Sequence, residues 1–391
     1  MSGAEDFYWY WLCNISGIGS VRIRNLMNIF GTPEEIYKAS DKVIISVPGL
    51  TQKNREAIIA SRRDSGMYTD FVNLQKKRIR FIHMESREYP SRLKEIYDCP
   101  AGIYCKGKLP QDERPSVAII GARNCTPYGK SMAYEFSKAF AQYGMQVISG
   151  MALGIDSAGH EGCLDGGGYT CAVLGCGVDI CYPACNIEMY SIIEERGGII
   201  SEYAAGTKPS PGQFPVRNRI ISGLADVVIV VEARRKSGSL ITVDQALEQN
   251  KDIMVVPGRI GDALSEGCNN LIKLGAQVIT EPKDIFDNTI IRNLQDKLIN
   301  LEKNNKIVAN ADNMECFEHN INEKPEHSTK ITLATPKDML YSCLNLYPKT
   351  LDEITQEMGI DITVINGMLI ELQLDGRIEE VSKNCYIRKH M

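Results

Sequence analysis

The residues of this chain best suited to chemistry are cationic and glycine-rich loops whose groups could hold phosphate. FPVRNRIISG (214–223) sets Arg217 and Arg219 around Asn218, close behind Phe214, and GARNCTPYGK (121–130) carries Arg123 two residues after Gly121. Guanidinium forks meet phosphate oxygens at two points, and a bare glycine lets a ligand approach the backbone. EARRKSGSLIT (232–242) places Arg234, Arg235 and Lys236 before Ser237, Gly238 and Ser239. Small residues opening a helix leave free N–H groups that favour anions. Two further turns have the same character. SGMALGID (149–156) contributes Ser149, Gly150, Met151, Ala152, Gly154 and Asp156; GCGVDICYPACN (175–186) contributes Gly175, Gly177, Asp179 and Asn186. EGCNNLI (266–272) adds Asn269 and Asn270.

Taken singly, each loop has a bland reading: glycines after strands are commonly turn residues, and loop arginines are commonly solvated. Repetition gives them weight. The same kind of loop at nearly every strand end makes a long groove, suited to a polymer backbone more than to one small cofactor. Neither GARNCT nor GCGVDI completes the G-x-G-x-x-G dinucleotide fingerprint, and no G-x4-G-K-[ST] occurs. His160 is the one histidine of residues 110–285, and no Ser or Cys near it has an activating context. Asp156, Asp179, Glu202 and Glu232 lie near strand ends. Either they form a carboxylate pair for acid–base work or, the more common role, they hold loops by accepting backbone N–H bonds. We therefore expect a binding protein, not an enzyme, with no cofactor and no metal.

Thirteen cysteines, five of them between Cys163 and Cys185, invite a metal reading. The spacing of Cys176, Cys181 and Cys185 matches neither a zinc pair nor a common cluster pattern, and several sit in apolar runs where Cys acts as a small hydrophobe. The start MSGAEDFYWYWLCNISG lacks the pattern of a secretory signal, and no apolar run approaches the ~20 residues a membrane span needs. A cytoplasmic protein without structural disulfides is expected.

Net charge is −5, yet unevenly divided. Residues 1–109 hold 17 Lys and Arg against 12 Asp and Glu, whereas residues 110–285 hold 15 against 20. Affinity for a polyanion in the middle segment must come from local clustering of cations.

The elements that must position these loops are legible. Apolar runs at 116–121, 146–150, 169–175, 198–202, 226–232, 252–258 and 277–280 alternate with helical stretches such as 130–144 and 239–250. Strands rich in Val and Ile, without alternation and separated by helices, predict a parallel sheet covered on both faces, and ligands bind beyond the carboxyl ends of such strands. The fold class expected is α/β: a Rossmann-like parallel sheet over 81–286, between an N-terminal helical domain (1–80) and, after a polar, unpacked linker (287–335) whose start is either helical or irregular, a C-terminal winged helix (336–391). The first domain has two Gly-turn–helix units, ISGIGSVRIRNLMNIFG (15–31) and SVPGLTQKNREAII (46–59), the second capped by Thr51. They are SAM-like helix-hairpin-helix units whose turn amides contact DNA, or a plain helical packing domain. The tail has no Lys or Arg between Thr350 and Gly376 but six acidic residues, so duplex readout is not expected of it and protein contact is.

At its loops the chain resembles the DprA/Smf family of bacterial DNA-processing proteins. GARNCTPYG, SGMALGIDSAGH, AVLGCGVDICYP, FPVRNRIISGLAD, VVEARRKSGSLIT and GCNNLIKLGA carry the resemblance, which spans roughly residues 85–285. It implies a Rossmann-like domain that binds single-stranded DNA, a homodimer, and delivery of RecA recombinase onto DNA in natural transformation. By matching position, Gly121, Arg123, the Ser149–Asp156 turn and the Phe214–Arg219 loop would contact DNA. The family commonly has Gly-Ser-Arg where this chain has Gly121-Ala122-Arg123, so the serine hydroxyl is missing here while the arginine remains. Arg123, Arg217 and Arg219 would meet phosphates or stack on bases, with Phe214 and Tyr182 either base platforms or core. Two rivals are weaker. The lysine-decarboxylase-like nucleotide hydrolases have a P-G-G-x-G-T-x-x-E loop that SGSLIT only partly echoes, and a dinucleotide oxidoreductase would need the missing fingerprint.

Overall fold

The protein is described by a computed structural model covering residues 3–296, 340, 344, 349–358, 360–382 and 384–388. It divides into two compact units, residues 1–303 and 304–391. The larger is built on a nine-stranded sheet: β1 (Arg80–His83), β2 (Gly102–Gly107), β3 (Ser116–Ile120), β4 (Gln146–Ser149), β5 (Thr170–Val173), β6 (Gly198–Ser201), β7 (Val227–Val230), β8 (Asp252–Val255) and β9 (Gln277–Val278). Their spatial order is β1-β2-β6-β5-β4-β3-β7-β8-β9. From β6 to β9 all pairs are parallel, as the unbroken apolar runs require.

Two strands were not expected. β1 and β2 pair antiparallel with each other, and β2 with β6, extending one edge. Their sequences, RFIH and GIYCKG, are too short and too mixed to announce a strand without the partner edge that pairs them.

β3 is the point where the strand order reverses: β4, β5 and β6 follow on one side, β7, β8 and β9 on the other. A crevice opens at such a switch point because the loops leaving β3 and β7 diverge to opposite faces. Helices Pro127–Gln142 and Ile155–Asp165 cover one face, through Phe136, Phe140, Ile155 and Ala158 on Val117, Ile119 and Ile229. Helices Gln213–Leu224 and Gly238–Glu248 cover the other, through Ile220, Leu224, Val243 and Ala246 on Ala118, Ile120 and Val228. The first of these helices starts cleanly because Thr126 accepts from Gly129 N at 3.0 Å and Pro127 sets its first turn.

The N-terminal helices pack as two turn–helix units around Trp9, Trp11, Leu26, Ile36, Ile44 and Ile58. Gly17 and Gly49 both hold φ of +78° in the two turns. Thr51 caps helix Gln52–Ser61 in a capping box with Asn54, whose amide also donates to Gly17 O at 3.0 Å and ties one turn to the other. Of the apolar run in the first unit, Ile23 and Leu26 are buried, whereas Val21 and Ile29 face solvent.

The sheet domain continues past the expected boundary at 286. Residues 289–296 are helical, Ile291 is fully buried among the sheet's core residues, and Gln295 Nε2 donates to Tyr143 O at 2.9 Å. The start of the expected linker is thus docked structure. Its apolar Ile290–Ile291 pair gave that signal, and the Asn-rich stretch behind it obscured it. The rest of that linker lies outside the described residues.

In the second unit, helices Leu351–Met358 and Ile362–Leu374 pack with a hairpin, Ile378–Ser382 and Cys385–Arg388, whose second strand also pairs with Lys349–Thr350. This is a winged helix. The expected first helix, 336–348, falls outside the described residues except for Leu340 and Leu344, both buried. Among the described residues no helix is long and apolar enough to cross a membrane.

Candidate nucleic-acid interface

The crevice at the switch point is a cavity of about 750 Å³. Its walls come from the loop after β3 (Gly121, Ala122, Arg123, Asn124), the turn after β4 (Ala152, Asp156), Tyr182, helix Gln213–Leu224 (Phe214, Pro215, Arg217, Asn218) and the segment after β7 (Arg234, Lys236, Ser237, Gly238, Ser239). Eleven of the expected site residues therefore meet in one place: Gly121, Arg123, Ala152, Asp156, Phe214, Arg217, Asn218, Lys236, Ser237, Gly238 and Ser239. A smaller adjoining recess adds Gly150, Leu153 and Pro183.

The wall carries a short stack. Tyr182 and Phe214 lie with ring centroids 5.4 Å apart and planes 26° from parallel. Arg123 Cζ sits 5.5 Å from the Phe214 centroid and Arg217 Cζ 6.0 Å from it. Phe214 is thus a platform edged by two guanidinium groups, with the Tyr182 ring 42% exposed beside it. Tyr182 is no core residue.

The arginines play three different parts. Arg123 is exposed and free to meet a ligand. Arg217 is only 4% exposed and donates from Nη1 to the carbonyls of Gly150, at 2.8 Å, and Val173. Burial, with a smaller push from Arg123, brings its pKa down to about 10 against the opposing pull of Asp156. It stays charged at neutral pH but is committed to the loop, lending the cavity field rather than reach. Arg219 corrects the expectation outright. It is 6% exposed, pairs with Glu202 at 2.5 Å and Asp98 at 3.0 Å, and lies outside the cavity. One residue separates the two arginines, and on a helix that is a turn of about 200°, so they cannot face the same way.

The remaining expected residues build the site without lining it. Ser149 Oγ donates to Ile119 O at 2.6 Å inside the sheet. Met151 is fully buried with φ +59°. Gly154, at φ +79°, lies so close to the first loop that a Cβ would come within 2.4 Å of the carbonyl oxygens of Ala122 and Arg123. Gly175 sits under Phe214, where a Cβ would be 2.9 Å from the ring, and Gly177 faces Ala204 and Asp179.

The carboxylates near strand ends hold structure. Asp156 accepts from Gly150 N at 3.1 Å and Ala152 N at 3.4 Å; burial raises its pKa, against the pull of Arg217 and these N–H groups. Asp179 accepts from Gly206 N at 2.7 Å and Lys77 at 2.9 Å. Glu232 accepts from Thr126 N at 2.8 Å and from its hydroxyl. Glu202 is occupied by Arg219. Asn186 donates to Met151 O at 2.9 Å, and Asn269 bonds the backbone of Gly258, so both brace loops. His160 is fully buried against Thr170. Among the described residues no three His, Cys, Asp or Glu side chains cluster as a metal site would require.

Ile120, Pro211, Ile221, Ile241, Thr242 and Leu264 complete the walls. Ile120, Ile221, Ile241 and Thr242 lie inside the apolar run and loops already singled out, as Asn124 and Arg234 do, whereas Pro211 and Leu264 belong to no motif and carried no signal.

Fold and site together define an α/β protein with a cationic, aromatic crevice at the switch point of a Rossmann-like sheet, preceded in the chain by tandem helix-hairpin-helix units and followed by a winged helix. The family model for DNA recombination-mediator protein A matches residues 80–289, a SAM-like helix-hairpin-helix tandem matches 12–64, and the DprA winged helix domain matches 324–382. The chain belongs to the DprA/Smf family. Protein Smf of Synechocystis is 36% identical over 290 residues, 73% of each chain, and DNA processing protein DprA of Bacillus subtilis is 35% identical over 267 residues, 66% of this chain and 90% of that one. The X-ray structure of DprA from Streptococcus pneumoniae is similar at a TM-score of 0.64 and 32% identity, covering 72% of this chain and 97% of that one.

Proposed function

We propose that this protein binds single-stranded DNA in the crevice at the switch point, protects incoming strands and helps load RecA recombinase during natural transformation or DNA uptake. It does so as a homodimer and without catalysis of its own. The observation that carries the reading is the Tyr182–Phe214 stack edged by exposed Arg123, in one cavity with Lys236 and the Ser237–Ser239 helix start. Single strands are held by aromatic platforms for unstacked bases and by cations along the phosphates, and duplexes offer no free base faces. The names of the relatives, DNA processing protein and recombination mediator, support the same partner class. A non-catalytic role is supported by the engagement of Asp156, Asp179 and Glu232 with backbone N–H groups and by the burial of His160. RecA and the second protomer come from the family resemblance.

Binding of labelled single-stranded and duplex oligonucleotides, followed by fluorescence anisotropy across a salt series, tests the proposal. Tighter binding to the single strand at every salt concentration is expected. Equal or tighter binding to the duplex would overturn it.

A further inference from the structure

The last N-terminal helix ends in positive charge that the fold leaves unpaired. Residues 71–84 hold Lys76, Lys77, Arg78 and Arg80 and no Asp or Glu. Arg80 pairs with Glu88 and donates to Gly107 O. Lys76, Lys77 and Arg78 are exposed at the C-terminal end of helix Ser65–Lys76, and the side chains of Lys76 and Arg78 have no partner among the described residues. One cation would suffice to offset the negative end of a helix. Arg78 also stands where helices commonly end on glycine. Arg78 N donates to Gln75 O at 3.0 Å and Ile79 N to Leu74 O at 2.9 Å, and this closure holds Arg78 at φ +54°. A Cβ is disfavoured in that left-handed conformation, yet the turn keeps a cation at its tip.

A chain of contacts joins this tip to the crevice. Lys77 Nζ meets Asp179 Oδ2 at 2.9 Å, and Asp179 Oδ1 accepts from Gly206 N at 2.7 Å. Gly177 N donates to Thr207 O at 2.9 Å, which laces loop 175–186 to loop 204–212. The first loop carries Tyr182 and the second Pro211, both on the crevice wall. Lys208 lies between, exposed, without a partner among the described residues, and three residues from Pro211, a span of at most about 11 Å. No Asp or Glu occurs from Ile180 to Ile187 or from Tyr203 to Ala225. Between crevice and helix tip the two loops therefore present Lys208 and one carboxylate, Asp179, which Lys77 already neutralises. Cations set apart along a rim suit the evenly spaced charges of a phosphodiester strand.

We propose that Lys76, Arg78 and Lys208 form an outer track that takes the phosphates of a single strand as it leaves the crevice past Tyr182. Lys77, through Asp179, positions the helix tip against the crevice loops. The inference rests on single-stranded DNA being the ligand of the crevice, and it gives the N-terminal domain a share in holding the strand.

Oligothymidylates of about 5 and about 20 nucleotides, one filling the crevice and one reaching beyond it, are titrated against the full-length protein by anisotropy. At about 0.15 M salt, charges more than about 8 Å apart are largely screened, so a substitution at the tip is not felt in the crevice. The variant Lys76→Gln/Arg78→Asn removes both charges, and asparagine accepts the left-handed turn. It should bind the short strand as the parent does, which also shows that it is folded. It should bind the long strand at least about fivefold more weakly, with a plot of log K against log salt flatter by about 0.7 for each phosphate lost. Lys208→Gln should act in the same direction, and Lys76→Arg/Arg78→Lys should bind the long strand as the parent does. Arg123→Glu, on the crevice wall, should weaken both lengths. Unchanged long-strand affinity in Lys76→Gln/Arg78→Asn, or an equal loss for both lengths, would overturn the track while leaving the crevice reading intact. Failure of the parent to bind either strand would overturn the crevice reading, and the track with it.

Discussion

Phe214 and Tyr182 stack in the wall of the switch-point crevice, 5.4 Å between ring centroids, though they leave the sheet from different loops 32 residues apart. Gly175 underlies Phe214, and Arg123 and Arg217 edge it. If this pair receives an unstacked base, Tyr182→Ala, at a residue 42% exposed, should cost about 1–3 kcal/mol of single-strand affinity with little change in stability. Competition anisotropy with an unlabelled oligothymidylate measures it, and undiminished affinity would remove Tyr182 from the interface.

Arg123 lines the crevice and is exposed, as Arg234 is, whereas Arg217 is committed to the fold. Arg123→Glu should weaken single-strand binding by about tenfold or more and flatten the plot of log K against log salt by about 0.7 for each phosphate that Arg123 neutralises. Arg219→Gln, by contrast, should leave the salt slope intact, because Arg219 faces Glu202 and Asp98 outside the cavity. If the two substitutions act alike on the slope, Arg219 has no separate role from Arg123.

Arg92 and Asp226 form a buried two-point pair, Nε to Oδ1 at 2.8 Å and Nη2 to Oδ2 at 3.0 Å, and Asp226 also accepts from Ser116 N at 2.8 Å. This pins the segment before β2 to the starts of β3 and β7. Asp226→Ala removes the two-point carboxylate from a buried guanidinium, leaving it the carbonyls of Gln111 and Arg114, and should destabilise the sheet domain by about 3–5 kcal/mol. Urea unfolding reads the loss directly, and a change below about 1 kcal/mol would show that water replaces the carboxylate.

His160 makes acid stability testable. Thr170 spends its hydroxyl proton on Val147 O at 2.9 Å, so it accepts from His160 Nδ1 at 2.7 Å, and Nε2 is buried without a partner. Burial, with a smaller effect from Arg217, pushes the pKa from 6.5 to about 3. The folded state therefore resists a proton that the unfolded state takes up. The contribution is fully present above about pH 6.5 and is lost as pH falls toward 3, at up to about 1.4 kcal/mol per unit. His160→Asn keeps a donor near Thr170 and cannot titrate. Its stability, subtracted from that of the parent at each pH, isolates this slope from the carboxylates, and a flat difference would show that the imidazole protonates freely.

The sequence by itself determined the class of fold. Six of the nine strands are apolar runs whose burial on two faces leaves a mark on composition, β9 is a short exposed edge strand in the seventh run, and helices between them force parallel pairing. It also determined which loops meet, because parallel strands deliver all their carboxyl ends to one edge. What it could not decide is the direction in which each loop side chain points. Arg217 and Arg219 are the same residue type one position removed from Asn218. Helix Gln213–Leu224 turns one toward Gly150 and Val173 at the crevice and the other toward Glu202 and Asp98. Ser149, Met151 and Gly154 look like ligand contacts by motif and are framework by geometry, since a motif preserves the loop's construction together with its surface. The same holds for the edge strands β1 and β2 and for Ile291. Their burial depends on partners far along the chain, so only the tertiary structure could assign them.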